Sequence, residues 1–143
     1  MPTLSNAINA SASALAAQRT RIEVAVSNLA NAESTRSADG TPYRRRDVVL
    51  AAEQVGSFDQ VLGQASATGV KVTGVVEDQS PFRKRYEPSH PDADAEGFVS
   101  LPNVDAPQEM VDMLGAARAY QANLAAINII RDMVAKALEL GRG

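Results

Sequence analysis

The stretch from Gln108 to Leu140 constrains the fold most. Met110, Met113, Leu114, Ala117, Tyr120, Leu124, Ile127, Ile130, Val134, Ala137 and Leu138 step by three and four, a spacing that puts them on one side of a 3.6-residue helix. A helix of about 33 residues is roughly 50 Å long at about 1.5 Å per residue. That exceeds the width of a small domain, so part of the stripe is expected to need a partner outside an ordinary core.

The other end of the chain carries a matching stripe. From about Thr3 to Asn31 the sequence is rich in Ala, Ser, Asn and Gln, with Ile8, Leu15, Ile22 and Leu29 recurring every seven residues and Leu4, Ala12, Ala25 and Val26 in adjoining positions. This is a heptad pattern sustained for about three repeats. The small residues between would let a neighbouring helix approach closely, and Ala favours the helix while Ser and Asn disfavour it. Ordering a residue costs about 1–2 kcal/mol of backbone entropy, and a fully buried large apolar side chain returns about 1.5–3 kcal/mol. With so few large side chains, this segment is expected to be frayed or disordered in a monomer and ordered by assembly. It should end between Asn28 and Thr35, where Asn28, Asn31, Ser34 and Thr35 compete for backbone hydrogen bonds.

Composition supports thin helical packing. The 143 residues are 45% hydrophobic, yet there is no Trp, aromatics are 4%, and much of the apolar count is Ala, which buries little area. Seventeen acidic and fourteen basic residues leave a net charge of −3, so no overall basic field suggests nucleic acid or an anionic membrane. The absence of cysteine excludes disulfide scaffolds and thiolate metal sites. The start, Met1-Pro2-Thr3-Leu4-Ser5-Asn6, has neither a basic n-region nor an apolar h-region, and no run reaches the roughly 18 apolar residues of a membrane span. No membrane insertion is expected, and export would use a route that does not read a cleaved Sec-type signal.

Between the stripes, Asp39-Gly40-Thr41-Pro42 reads as a turn. Tyr43 to Ala51 and Val70 to Glu77 read as strands, with shorter ones at Phe82 to Tyr86 and Gly97 to Leu101, and Gly74 marks a candidate bulge. The span 55–69 reads either as a short amphipathic helix around Phe58, Val61 and Leu62 or as a loop. Prolines at 81, 88, 91, 102 and 107 make 81–107 an extended lead into the last helix. That helix starts either with Asp105 as cap and Gln108 three residues on, or with Ala106 before a first-turn Pro107. Gly141 stands where a left-handed C-terminal cap is expected. The fold class is therefore mainly α with a small β-rich insert. The long terminal helices, in regions 1–35 and 105–143, pair as a coiled-coil-like core, and the β and loop domain, 36–104, lies between them.

Candidate chemistry is sparse. His90 lies near Ser89 and Asp92, but all three share a proline-flanked loop without a nucleophile elbow or oxyanion motif. Asp92, Asp94, Glu96 and Gly97 imitate the first half of an EF-hand calcium loop, yet Asn103 holds the twelfth position where a bidentate Glu is needed. A turn whose carboxylates stay in water is expected, with no metal and no cofactor. Arg44, Arg45 and Arg46 follow Tyr43, and Arg83, Lys84 and Arg85 are flanked by Phe82 and Tyr86. Aromatics beside Arg can stack bases, but so few charges on an acidic chain do not make a nucleic-acid surface. These clusters fit charged strand edges or lateral contacts with an acidic neighbouring subunit. An enzyme is not indicated.

The helical stripes supply the candidate subunit interface: Leu4, Ile8, Leu15, Ile22, Val26, Asn28, Leu29 and Asn31 at one end, Met110, Met113, Leu114, Tyr120, Leu124, Ile127, Ile130, Val134 and Leu138 at the other. An isologous contact between copies closes a dimer, as in a helical adaptor, whereas a head-to-tail contact gives a ring or a filament.

Two sets of residues carry a resemblance. Ser27-Asn28-Leu29-Ala30-Asn31-Ala32-Glu33-Ser34-Thr35 resembles the Asn-rich signature of the flagellar axial proteins, the rod and hook components. The run from Tyr86 through Pro88-Ser89-His90-Pro91-Asp92-Ala93-Asp94 to Gly97-Phe98-Val99-Ser100-Leu101-Pro102-Asn103-Val104-Asp105, then Glu109-Met110-Val111-Asp112-Met113 and Ala117-Arg118-Ala119-Tyr120-Gln121-Ala122-Asn123, looks like the proximal-rod members of that family. The resemblance spans essentially the whole chain. Its departures are small: Gln121 stands where distal-rod and hook relatives often have Glu, Ala106-Pro107 varies the lead into the last helix, and Val55 to Ala67 is poorly matched.

This resemblance implies a structural subunit of the basal-body rod, near the inner membrane in the periplasm, that transmits torque from motor to distal rod and hook. It implies export, unfolded and without cleavage, by the flagellar type III apparatus. It also implies helical assembly around the export channel, as one homo-oligomeric layer of a hetero-oligomeric rod that includes other rod proteins and the rod–MS-ring junction protein. Another rod or junction subunit of the same family is the nearest alternative.

Overall fold

A computed structural model describes residues 2–37, 39–55 and 67–141. The elements run α1 (Pro2–Ala30), β1 (Arg46–Val55), β2 (Ala67–Glu77), β3 (Arg83–Tyr86), β4 (Phe98–Leu101) and α2 (Ala106–Leu140). Two long helices thus bracket a β insert, as the two stripes and the breakers between them require. The undecided span overlaps 56–66, which lies outside the described residues, while 67–69 belongs to β2.

Helix ends follow local chemistry. The α1 helix closes after Ala30, where the Asn31 amide bonds back to Ser27 and Asn28 carbonyls, the Asn31 side chain also donates to Ser27 O at 2.8 Å, and Ser34 Oγ donates to Asn31 O at 2.9 Å. These short polar side chains satisfy carbonyls that a continuing helix would otherwise use. At the head of α2 the Asp105 register prevails, its Oδ1 accepting the Gln108 amide at 3.3 Å and its carbonyl accepting the Glu109 amide at 3.0 Å. Pro107 then stands in the first turn, where its missing N–H costs nothing. The expected left-handed cap at Gly141 is not formed: among the described glycines positive φ occurs at Gly40 and Gly97, and the Gly141 amide continues the helical series to Ala137 O at 3.2 Å. Glycine permits a left-handed turn without requiring one.

The strands form two separate two-stranded sheets, β1 with β2 and β3 with β4. In the second the strands are antiparallel, Arg83 opposite Leu101 and Tyr86 opposite Phe98. β1 begins three residues later than the β-branched run suggested, because the backbone before it is otherwise engaged. The Arg45 amide donates to Asn103 Oδ1 at 2.8 Å and the Arg46 amide to Asn28 Oδ1 at 2.9 Å.

The described residues divide into two compact units. One comprises 21–49 and 74–114, with Ala25, Ala32, Val99, Leu101 and Val104 as its buried apolar residues. Gly97 closes the turn before β4 at φ +83°, and a Cβ there would stand 2.9 Å from Tyr86 Cε2, so both backbone and space demand glycine. Tyr86 in turn meets Phe98 edge-on, centroids 5.3 Å apart. The other unit comprises 1–20, 50–73 and 115–143. Ala17 and Ala116 are buried in it, and Ser13 Oγ, which donates to Ala10 O, accepts the Val70 amide at 3.0 Å. The buried apolar residues of the second unit are alanines, in keeping with the composition, while the first adds Val99, Leu101 and Val104.

The single stripe read along α2 is corrected to two. Met113, Tyr120, Ile127, Ile130 and Val134 are half-buried, in phase with the buried Glu109 and Ala116. Met110 and Leu114 are 55% and 52% exposed, since at about 100° per residue they stand roughly 100–140° round the helix from Glu109. Leu124 and Leu138 are also exposed. Steps of three and four that use 110, 113, 114 and 117 together cover more arc than one face can bury.

Candidate functional site: a buried polar knot and an apolar surface

The sequence brings three chain segments to one point within the unit of 21–49 and 74–114. The last turn of α1 supplies Ser27 and Asn28, the entry to β1 supplies Tyr43, Arg45 and Arg46, and the first turn of α2 supplies Glu109. Asn28 is 1% exposed and Glu109 2%, so each polar atom there needs a partner.

Asn28 meets that need with all of its side-chain amide. Its Nδ2 donates to Arg46 O at 2.8 Å and to Glu109 Oε2 at 2.9 Å. Its Oδ1 accepts from the Arg46 amide at 2.9 Å and from the Tyr43 hydroxyl at 2.9 Å. The side chain therefore pairs with both backbone groups of one residue, as a strand neighbour would, and β1 starts there. Ser27 Oγ lies 3.3 Å from the Tyr43 hydroxyl.

Glu109 is held from its other oxygen by Arg45, whose Nε donates to Oε1 at 2.6 Å, with Asp112 at 3.7 Å and Asp47 at 3.5 Å from the same guanidinium. Burial works against the Arg45 charge, but the hydrogen bond and attraction from Glu109, helped by Asp47, outweigh it and hold its pKa above the ordinary arginine value. Asn103 ties the lead into α2 to the same place. Its Oδ1 accepts the Arg45 amide, and its Nδ2 donates to Asp78 O at 3.1 Å and Ser80 Oγ at 2.8 Å. The Ser80 amide and hydroxyl, with smaller contributions from Arg45 and Arg44, hold the Asp78 carboxyl below its usual range. Among the described residues no buried side-chain nitrogen or oxygen lacks a partner.

The loop that imitated a calcium site does something else. Asp92 accepts from Thr35 Oγ1 at 2.8 Å and pairs with Arg36 at 2.8 Å, so it clips the segment after α1 and does not stay in water as expected. Asp94 Oδ1 accepts the amides of Glu96 and Phe98, and His90 Nδ1 accepts the Asp92 amide at 3.0 Å. Among the described residues no group of three His, Asp or Glu side chains is placed to hold a metal. No helix among them is long and apolar enough to cross a membrane.

The two basic clusters are largely engaged within the chain. Arg44 lies over the Phe82 ring at 4.4 Å and donates to Asp78 O. Arg46 is near Tyr43 and Glu77. Arg83 donates to Pro102 O and Ala32 O, and Arg85 pairs with Glu33 and Glu87. Lys84 is exposed on β3. Of the six, Arg45 is the most deeply engaged, through Glu109.

Of the expected interface residues, Asn28 is inside the chain and Ile8, Leu15, Ile22, Leu29 and Asn31 are half-buried. Val26, Met110, Leu114, Leu124 and Leu138 stand exposed, together with Val111, Ile129 and Met133, which the periodicity did not single out. Leu4 meets Val134 and Leu138 in an apolar recess of about 270 Å3, with Met133 and Ala137 completing its wall. Sequence reading also missed Glu109, Tyr43 and Asn103. Glu109 had a signal, a carboxylate in phase with Met113, Ala116, Tyr120 and Ile127, where an apolar residue would be the norm.

Known proteins resemble this chain over nearly its whole length. The family described as flagellar basal body rod FlgEFG protein C-terminal matches residues 95–140, from the turn before β4 to the end of α2. The flagellar basal-body rod protein FlgC of Salmonella typhimurium is 47% identical over 139 residues, which are 97% of this chain and 98% of that protein. FlgC of Bacillus subtilis is 45% identical over 150 residues, 98% of this chain and 99% of the relative. FlgC of Borreliella burgdorferi is 38% identical over the same span, with the same coverage. At this identity and coverage the chain belongs to the FlgC family of flagellar basal-body rod proteins.

Proposed function

We propose that this chain is a structural subunit of the flagellar basal-body rod and has no catalytic role. The observation that carries the reading is the near full-length identity to proteins named for the rod. The exposed apolar residues of α2 support it, because a face of that kind is stabilised by contact with another chain. In this reading 1–35 and 105–143 form a terminal-helix domain, coiled-coil-like in its pairing, and 36–104 is an insert that makes lateral contacts, with Lys84 among the candidates. Copies assemble helically around the export channel, in the periplasm near the inner membrane, beside other rod proteins and the junction to the MS ring. The subunit arrives through the flagellar type III apparatus without cleavage. The rod then transmits torque from motor to hook.

The test places Ile22→Asp, Leu29→Asp and Leu124→Asp separately in a motile strain. Each is expected to abolish rod assembly, seen as loss of rods from isolated basal bodies, while the subunit is still secreted. Normal rods in all three variants would contradict the interface assignment.

A further inference from the structure

The apolar pattern of α1 does not by itself say where the helix should sit along its neighbours. Ile8, Leu15, Ile22 and Leu29 repeat at seven residues, so a slip of one heptad brings Ile8, Leu15 and Ile22 to the places of Leu15, Ile22 and Leu29. The same slip sets Ala10 at the place of the buried Ala17. Isoleucine and leucine exchange at little cost, and alanine on alanine discriminates nothing. Two buried positions on α1 do discriminate, and the first is one of size, since the slip would bring Gln18 to the place of the buried Ala25. The second is Asn28. The slip would put Arg21 at the place of Asn28, and arginine has no acceptor for the Arg46 amide or the Tyr43 hydroxyl. Both of those groups now bond to Asn28 Oδ1 at 2.9 Å.

We infer that Asn28, acting through Glu109 and the Arg46 backbone, is the polar register key of this chain: together with the small Ala25 it selects the observed alignment of the end of α1 against the start of α2 over the one-heptad slip that the large apolar residues would accept. A buried polar residue in an otherwise repetitive apolar seam is the best-attested way for a protein to fix register. Here the key has a second tooth, because the same amide group holds both backbone groups of Arg46. The start of β1 is therefore fixed by the alignment that sets the helices. Asn28 is a positioning residue, and the inference goes beyond the rod reading, since it concerns the alignment within one chain.

The chain has no cysteine, so Ala30→Cys with Leu114→Cys, both at exposed positions, gives a specific pair for spin labels on the full chain. The distance distribution between the labels is the readout. With Asn28 present a single narrow population is expected. With Asn28→Leu a second population should appear, because a one-heptad slip moves α1 by about 10 Å along its axis. A single unchanged population in Asn28→Leu would overturn the inference, as would a broad distribution in the chain that retains Asn28. If Asn28→Leu loses its helical circular dichroism, Asn28→Asp decides, since it keeps an acceptor for the Arg46 amide and the Tyr43 hydroxyl but cannot donate to Arg46 O or to Glu109. A second population there supports the key, and a single unchanged population overturns it.

Discussion

The first turns of α2 carry opposite chemistries on opposite faces, and the arrangement is the reverse of the usual one. Glu109 is buried and charged, with every polar neighbour satisfied, while Met110, Val111 and Leu114 are apolar and exposed at 55%, 65% and 52%. The polar face specifies: hydrogen bonds have direction, so Asn28, Arg45 and Glu109 admit one geometry. The apolar face is permissive, since burial of methyl and methylene groups rewards any partner of suitable shape. A subunit that must adopt one fold and then join many copies has use for both. The inside of this region is set by bonds within the chain, and its outside is the face that the proposed rod assembly would cover.

The two faces should respond differently to substitution, and the largest effect is expected inside. Arg45→Ala leaves the Glu109 carboxylate buried without its cation, which costs about 3 kcal/mol or more in chemical denaturation of the free chain. Asn28→Ala removes four hydrogen bonds and strands the Arg46 backbone groups, an expected loss of about 2–3 kcal/mol by the same measurement. Gly97→Ala must strain a φ of +83° and press on Tyr86, so about 1–2 kcal/mol is expected. On the outer face, Met110→Gln with Leu114→Gln should change the stability of the free chain by no more than about 0.5 kcal/mol yet impair rod assembly. A large loss of stability from that pair would erase the distinction between the faces.

The smallest effect concerns pH. The folded Asp78 carboxyl lies below its unfolded value of 3.8, so its contribution is present above that value and disappears as pH falls through the depressed folded one. Asp78→Asn should therefore flatten the pH dependence of stability only in the acid range below about pH 4. An unchanged profile there would remove Asp78 from the account.

Both helices, the four strands to within a few residues and the cap at Asp105 were legible in the sequence, because periodicity and turn residues are local signals. The knot was not, because Asn28 and Glu109 are 81 positions apart and neither stands out by type. Asn28 read as a helix terminator, which it is, and its second role depends on where α2 begins. The basic clusters misled in the same way. Arg45 looks like a surface charge until Glu109 is placed beside it. The two faces of α2 were blurred for a different reason, since steps of three and four are satisfied by both, and burial alone separates Met113 from Met110.

The most direct test of the central claim is the reactivity of a single cysteine on the outer face. Leu114→Cys in this cysteine-free chain should react readily with a water-soluble maleimide in the free subunit and be protected in isolated basal bodies. Equal reactivity in the two states would contradict the claim that the exposed apolar face of α2 is covered when the rod is built.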